Sequence, residues 1–228
     1  MNVLLFGATG MVGDAVLHEC LNDGRVTHVV AVTRSSLGLT HPKLRELRRS
    51  NFFAYDDLAG ELATIDACFF CLGVSAAGMR EADYHRQTFD LTLAAARALA
   101  AAHPGATFCY VSGEGTDSSE RGRTMWARVK GKTENALLAL PLEAYMFRPG
   151  FIRPRPGGKA PKARLYRTLY PLLVPLAPLI QRLAPTHSTS AQALGRAMIE
   201  VALHGAPKHI LENVDIDRIG APGRAGAA

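Results

Sequence analysis

The chain has 228 residues, 48% hydrophobic and 20% charged, which excludes a disordered tract and suits one α/β domain with a small appendage. No apolar run reaches the ~20 residues of a membrane-spanning helix, and the strand-like opening run speaks against a leader peptide. The net charge of +6 is uneven: between Ala144 and Ile199 there are nine basic residues and no acid, leaving −3 for the rest. Such an excess suits an anionic substrate, a membrane surface or nucleic acid.

Val3 to Phe6 is a short apolar run, as in a strand buried on both faces of a parallel sheet. Gly7, Gly10 and Gly13 follow at three-residue spacing, then Val12, Val16, Leu17 and Leu21 with helical period. Strand, glycine turn and helix in that order are what a dinucleotide phosphate site needs. Gly7 permits the tight turn, Gly10 lets backbone approach a pyrophosphate, and Gly13 lets helix pack on strand. The helix then presents its first N–H groups and positive dipole end to the phosphates.

His28 to Val32 reads as the second strand, ending at Thr33-Arg34-Ser35. An acid at that end would accept from an adenosine ribose 2′-hydroxyl; an arginine there favours a 2′-phosphate, hence NADP(H) over NAD(H). Leu44 to Arg48 reads as a third strand, about Asp57 to Ala63 as a short helix, and Ile65 to Leu72 as a fourth strand. A long helix is expected over Tyr84 to Ala102, with Leu91, Ala94, Ala95, Ala98 and Leu99 as its apolar stripe and His103-Pro104-Gly105 as its stop. Thr107 to Val111 is the fifth strand, Met125 to Leu140 the next helix, and Ala144 to Phe147 the sixth strand. Alternating strands and helices imply a parallel, doubly wound sheet with ligands at the carboxyl ends of its strands. Arg34, Ser112 and Arg148 all fall at such ends.

Residues 1–152 thus read as a dinucleotide-binding core, 153–219 as a small substrate-side lobe completing the same domain, and 220–228 as a frayed tail. Arg153 to Lys162 reads as a loop. Pro171, Pro175 and Pro178 break the apolar stretch from Leu165 to Leu183 into short helical pieces. Ser190 can cap a helix from Ala191 to His204, and His209 to Asn213 reads as a last strand. Cys68 and Cys71 have a redox-like spacing, but a strand would point them to opposite faces. All four cysteines read as small buried hydrophobes, and a reducing cytoplasm follows. The histidines form no ligand cluster, so no metal is expected.

The segments Gly7-Ala8-Thr9-Gly10-Met11-Val12-Gly13, Cys71-Leu72-Gly73, Val111-Ser112, Val129-Lys130-Gly131, Arg148-Pro149-Gly150 and Leu211-Glu212-Asn213, in this order over residues 2 to 215, carry a resemblance. The chain resembles the short-chain dehydrogenase/reductase superfamily, and within it the atypical NmrA-like and Tat-interacting-protein-like NAD(P)H-binding branch. The resemblance implies a Rossmann-type fold and a Ser-Tyr-Lys set. Ser112 would polarise the carbonyl and Lys130 would hold the nicotinamide ribose hydroxyls. A tyrosine four residues before Lys130 would share its helix face and have its pKa lowered by the ammonium. That position is Trp126, whose indole N–H offers no acid–base chemistry near neutral pH.

The resemblance also implies the cofactor contacts. Gly7 to Gly13 would hold the pyrophosphate, with Thr9 donating to it, and Arg34 and Ser35 would meet the 2′-phosphate. Asn51 and Phe52 stand where the family has an adenine-edge Asp–hydrophobe pair. Leu72, Gly73 and Val74 would line the adenosine side, and Pro149, Gly150, Phe151 and Ile152 the nicotinamide. Three readings stay open: a reductase with another proton donor (Tyr84, His85 or a water relayed by Lys130), a non-catalytic NADP(H)-binding regulator or scaffold, or an enzyme on an unusual substrate. Sugar-nucleotide epimerisation ranks last, because it needs the tyrosine more. The expected partner is a small-molecule substrate, and the basic excess leaves an anionic one open. Peripheral membrane contact is open, nucleic acid is disfavoured for want of a reading module, and monomer and homodimer stay open.

Overall fold

A computed structural model describes residues 1–159 and 185–222; the segment expected to form proline-broken helical pieces lies outside them. Seven strands form one sheet in the order β3-β2-β1-β4-β5-β6-β9, with every neighbouring pair parallel. They are β1 (Asn2–Phe6), β2 (His28–Thr33), β3 (Leu44–Arg48), β4 (Ala67–Phe70), β5 (Thr107–Val111), β6 (Glu143–Arg148) and β9 (Ile210–Glu212). A second, two-stranded parallel sheet pairs β7 (Phe151–Arg153) with β8 (Ser188–Ser190). The doubly wound architecture read from the sequence is the one observed.

Strand alternation divides the core in two. Val3, Leu5, Phe69 and Cys109 face α1 (Met11–Asn22) and α6 (Ala191–His204), together with Val16, Leu194 and Met198. Leu4, Phe6, Phe70, Phe108 and Tyr110 face the other layer, with Leu93, Ala96 and Leu137 from α4 (Leu91–Ala102) and α5 (Met125–Leu138). Cys71 packs on the first cluster and Cys68 in the second, the opposite-face arrangement expected of the pair. All four cysteines are free thiols. Among the described residues the remaining α-helices are α2 (Ala59–Leu62), α3 (Glu81–His85) and α7 (Asn213–Ile219).

Four local expectations need correction. The helix expected from Tyr84 begins at Glu81 and passes through a π segment, Arg86–Asp90, before α4. Of the expected stripe, Ala95 and Leu99 are buried, whereas Leu91, Ala94 and Ala98 are partly buried at the edge and Leu93, Ala96 and Ala100 are buried beside them. β4 pairs over Ala67–Phe70 only, shorter than Ile65 to Leu72. The stretch beginning at Arg153 includes the end of β7, whose partner lies 37 residues downstream by the Phe151↔Ser188 register. Gly220 is buried rather than frayed: a Cβ there would lie 2.0 Å from the Ala193 carbonyl oxygen. It follows α7, whose start Glu212 and Asp215 close with a capping box.

Ser190 caps α6 as expected, its hydroxyl accepting from the Ala193 N–H at 3.0 Å. Among the described residues, no helix is long and apolar enough to cross a membrane.

Candidate functional site

The carboxyl ends of β1, β2, β4, β5 and β6 meet along one edge of the sheet, and the first turn out of that edge is built around backbone contact. Gly7 has φ +85°, and a Cβ there would lie 2.6 Å from the Cys71 carbonyl. At Gly13 a Cβ would lie 2.2 Å from the Gly7 oxygen, and at Gly10 it would lie 3.3 Å from that atom. The Gly10 N–H donates to the Gly7 carbonyl at 2.8 Å, and α1 starts with the Asp14 N–H donating to Gly10 at 2.9 Å. Gly10 supplies no capping side chain, so the start of α1 is a backbone cradle of the kind that suits phosphate.

At the end of β2, Arg34 and Ser35 are exposed. Asn51 Oδ1 accepts from the Phe53 N–H at 2.8 Å, so the oxygen meant for adenine closes a local turn. Phe52 is 7% exposed and packs edge-on to Phe6 at 6.3 Å in the core. Phe53 is the exposed aromatic, under the Arg86 guanidinium at 5.3 Å. Gly73 and Val74 are exposed and Leu72 half-buried at the end of β4.

At the β5 end, Ser112 is buried, and its hydroxyl donates to the Phe147 carbonyl at 3.1 Å. In this geometry the hydroxyl is satisfied by β6 backbone. Lys130 does reach the edge, its ammonium donating to the Ser112 carbonyl. Burial lowers its pKa from 10.5 to about 8, the Glu134 carboxylate opposing the shift. Trp126, one helical turn earlier, covers the loop after β5: a Cβ on Gly115 would lie 3.6 Å from its indole. Of the alternative donors, Tyr84 is 2% exposed and burial raises its pKa, which removes it from the open edge. His85 stacks on Phe89 and lies 3.4 Å from Asp90.

Pro149 is buried, and Gly150, Phe151 and Ile152 are half-buried, where the chain leaves β6. The Gly150 N–H donates to Asn213 Oδ1 at 3.0 Å.

Three groupings escaped the sequence. Glu134, fully buried, pairs with Arg148, which also reaches Glu212 at 3.3 Å. Arg148, expected among the ligand-facing groups, is thus spent on structure. His187 Nδ1 meets the Glu114 carboxylate beside Gly150. Arg155 and Lys159 both approach Asp14 at the start of α1. Each joins residues far apart in the chain, and no spacing in the sequence signals such pairs.

Fold and edge together define a Rossmann-type α/β protein. The chain belongs to the NAD dependent epimerase/dehydratase family, whose model matches residues 3–121. It is 26% identical over 224 residues, 95% of both chains, to "Protein fmp52-2, mitochondrial" of Aspergillus oryzae. Among solved structures it is similar to the Bordetella bronchiseptica enzyme WbmF in complex with NAD+, with TM-score 0.68, 16% identity, 95% of this chain and 76% of that one. A short chain dehydrogenase family protein from Francisella tularensis matches with TM-score 0.60 and 13% identity over 90% of this chain and 91% of that one.

Proposed function

We propose that the protein binds NADP(H) in preference to NAD(H) and acts as an oxidoreductase on a small carbonyl-type substrate. Lys130 then takes over the proton duty that Trp126 cannot perform. The observation carrying this reading is the Lys130 ammonium at the end of β5, with a pKa lowered by burial to about 8. An acid of that strength is matched to proton transfer near neutral pH, directly or through one water.

The residues fit a pyridine dinucleotide. At Gly7 and Gly13 a side chain would collide with backbone, leaving a bare cradle at the start of α1. The NAD+ named with the WbmF structure supports the same use of the edge. When bound, the reduced coenzyme supplies the hydride. The chain's own part is to hold the diphosphate at the glycine turn, meet a 2′-phosphate with Arg34 and Ser35, and deliver the proton from Lys130 to the carbonyl oxygen. The basic excess between Ala144 and Ile199 suits an anionic substrate. Four unpaired thiols suit a reducing compartment such as the cytoplasm.

A non-catalytic NADP(H)-binding regulator is the second reading, favoured by the commitment of the Ser112 proton to Phe147. Titration of the protein with NADPH and NADH, followed by a panel of carbonyl compounds, tests both. NADPH should bind about tenfold tighter, and Arg34→Ala should erase the difference, as expected for loss of one charge-assisted hydrogen bond. Trp126→Tyr should raise turnover, by up to about 10² if the phenol acts as a general acid. Tight NADPH binding with no oxidation by either protein would establish the regulator; no binding of either coenzyme would sink both readings.

A further inference from the structure

The first residues of the basic stretch after β6, Arg153 to Lys159, run back across the sheet edge. From Arg153 the chain returns to the turn between β1 and α1, three strands away in the order β1-β4-β5-β6. That is roughly 14 Å at ordinary strand spacing. There Arg155 Nη2 lies 3.2 Å from Asp14 Oδ2, and Lys159 Nζ lies 3.6 Å from Asp14 Oδ1. Lys159 also donates to the Ala8 carbonyl, inside the glycine turn, at 3.4 Å. A Cβ on Gly158 would sit 3.2 Å from Asp14 Oδ2, so the loop lies directly on that carboxylate.

The charges at this point do not balance. Two cations share one carboxylate, Asp14, which is only 6% exposed. The start of α1 adds its own positive end. Arg155 Nε is buried with no hydrogen-bond partner among the described residues. A buried donor of that kind is costly unless something accepts from it, and the surplus is positive where a cradle of backbone N–H groups begins.

We infer that Arg155 and Lys159 form a side-chain clamp on the diphosphate bridge of the bound dinucleotide, with Asp14 as the anchor that keeps both cations against the turn. The clamp rests on the coenzyme reading above and adds to it. The glycine turn supplies backbone donors, and the strap from β6 supplies the counter-charge and closes over the bridge. The proline- and glycine-rich character of residues 154–158 then serves to hold a short crossing in one path, rather than to shape a substrate pocket.

The test is NADPH binding, followed by nucleotide fluorescence, for the wild type, the double variant R155M/K159M and the charge-preserving K159R. Losing two charge-assisted contacts should weaken NADPH about a hundredfold, with K159R within about threefold of wild type. The affinity of the double variant should also depend less steeply on salt. Removing both cations strands the buried Asp14 carboxylate, so the nucleotide-free double variant should melt several degrees lower, and affinities are read well below both transitions. Unchanged NADPH affinity in the double variant, or a loss that K159R shares, would overturn the clamp while leaving the coenzyme site standing. A wild type that binds neither NADPH nor NADH would overturn the coenzyme site, and the clamp with it.

Discussion

Lys130 is the residue on which the chemistry turns. Its ammonium is held at the end of β5 by one carbonyl, and burial lowers its pKa from 10.5 to about 8. Between about pH 8 and 10.5 the unfolded chain therefore binds more protons than the folded one, so stability rises with pH across that window. The penalty for burying the charge is fully present below pH 8. Lys130→Met should accordingly stabilise the fold at pH 7 by about 1 kcal/mol, after allowing for partial exposure and the lost hydrogen bond. Its unfolding free energy should be flatter from pH 8 to 10.5, as denaturant melts across that range will show. In the wild type, reduction should fall as pH passes about 8, where the acid form is lost. Position 130 was legible through the family resemblance; the direction of its titration was not, because it depends on burial.

The junction of β1 with α1 shows how elements make the site. Helix and strand approach so closely that a Cβ at Gly13 would lie 2.2 Å from the Gly7 oxygen. Gly13→Ala must push α1 off the sheet, costing about 3 kcal/mol or more, as overpacking at backbone does. The melting temperature should drop by several degrees, and NADPH binding should weaken more than stability alone requires, because the cradle itself opens. This junction was readable from three glycines between a strand run and a helical period. The elements that escaped, β7 and α7, are short and lack a period of their own. A three-residue strand exists only through its partner, and α7 begins on a capping box between two acids. Neighbouring aromatic positions were separated for a similar reason. Adjacent phenylalanines look alike in sequence, and packing against Phe6 and Tyr55 decided that Phe52 is core and Phe53 surface.

At the scale of the whole molecule, Glu134 ties together parts that the chain keeps far apart. Carried on α5, it neutralises Arg148 at the end of β6, and Arg148 in turn reaches Glu212 at the end of β9. The Glu134 partnership holds the Arg148 pKa above its ordinary value. Glu134→Ala leaves a largely buried guanidinium with the Ser118 hydroxyl and, as its one carboxylate among the described residues, the more exposed Glu212, which should cost about 2–4 kcal/mol in chemical denaturation. The succession of strands and helices, the parallel doubly wound class and the glycine turn followed from the sequence alone, because hydrophobic period and glycine spacing are local signals. Only the tertiary structure decided which polar groups are free. It committed the Ser112 proton to β6, spent Arg148 on Glu134, and brought Arg155 and Lys159 to the glycine turn. Those outcomes are set by distances between residues many positions apart, and a linear pattern carries no measure of such distances.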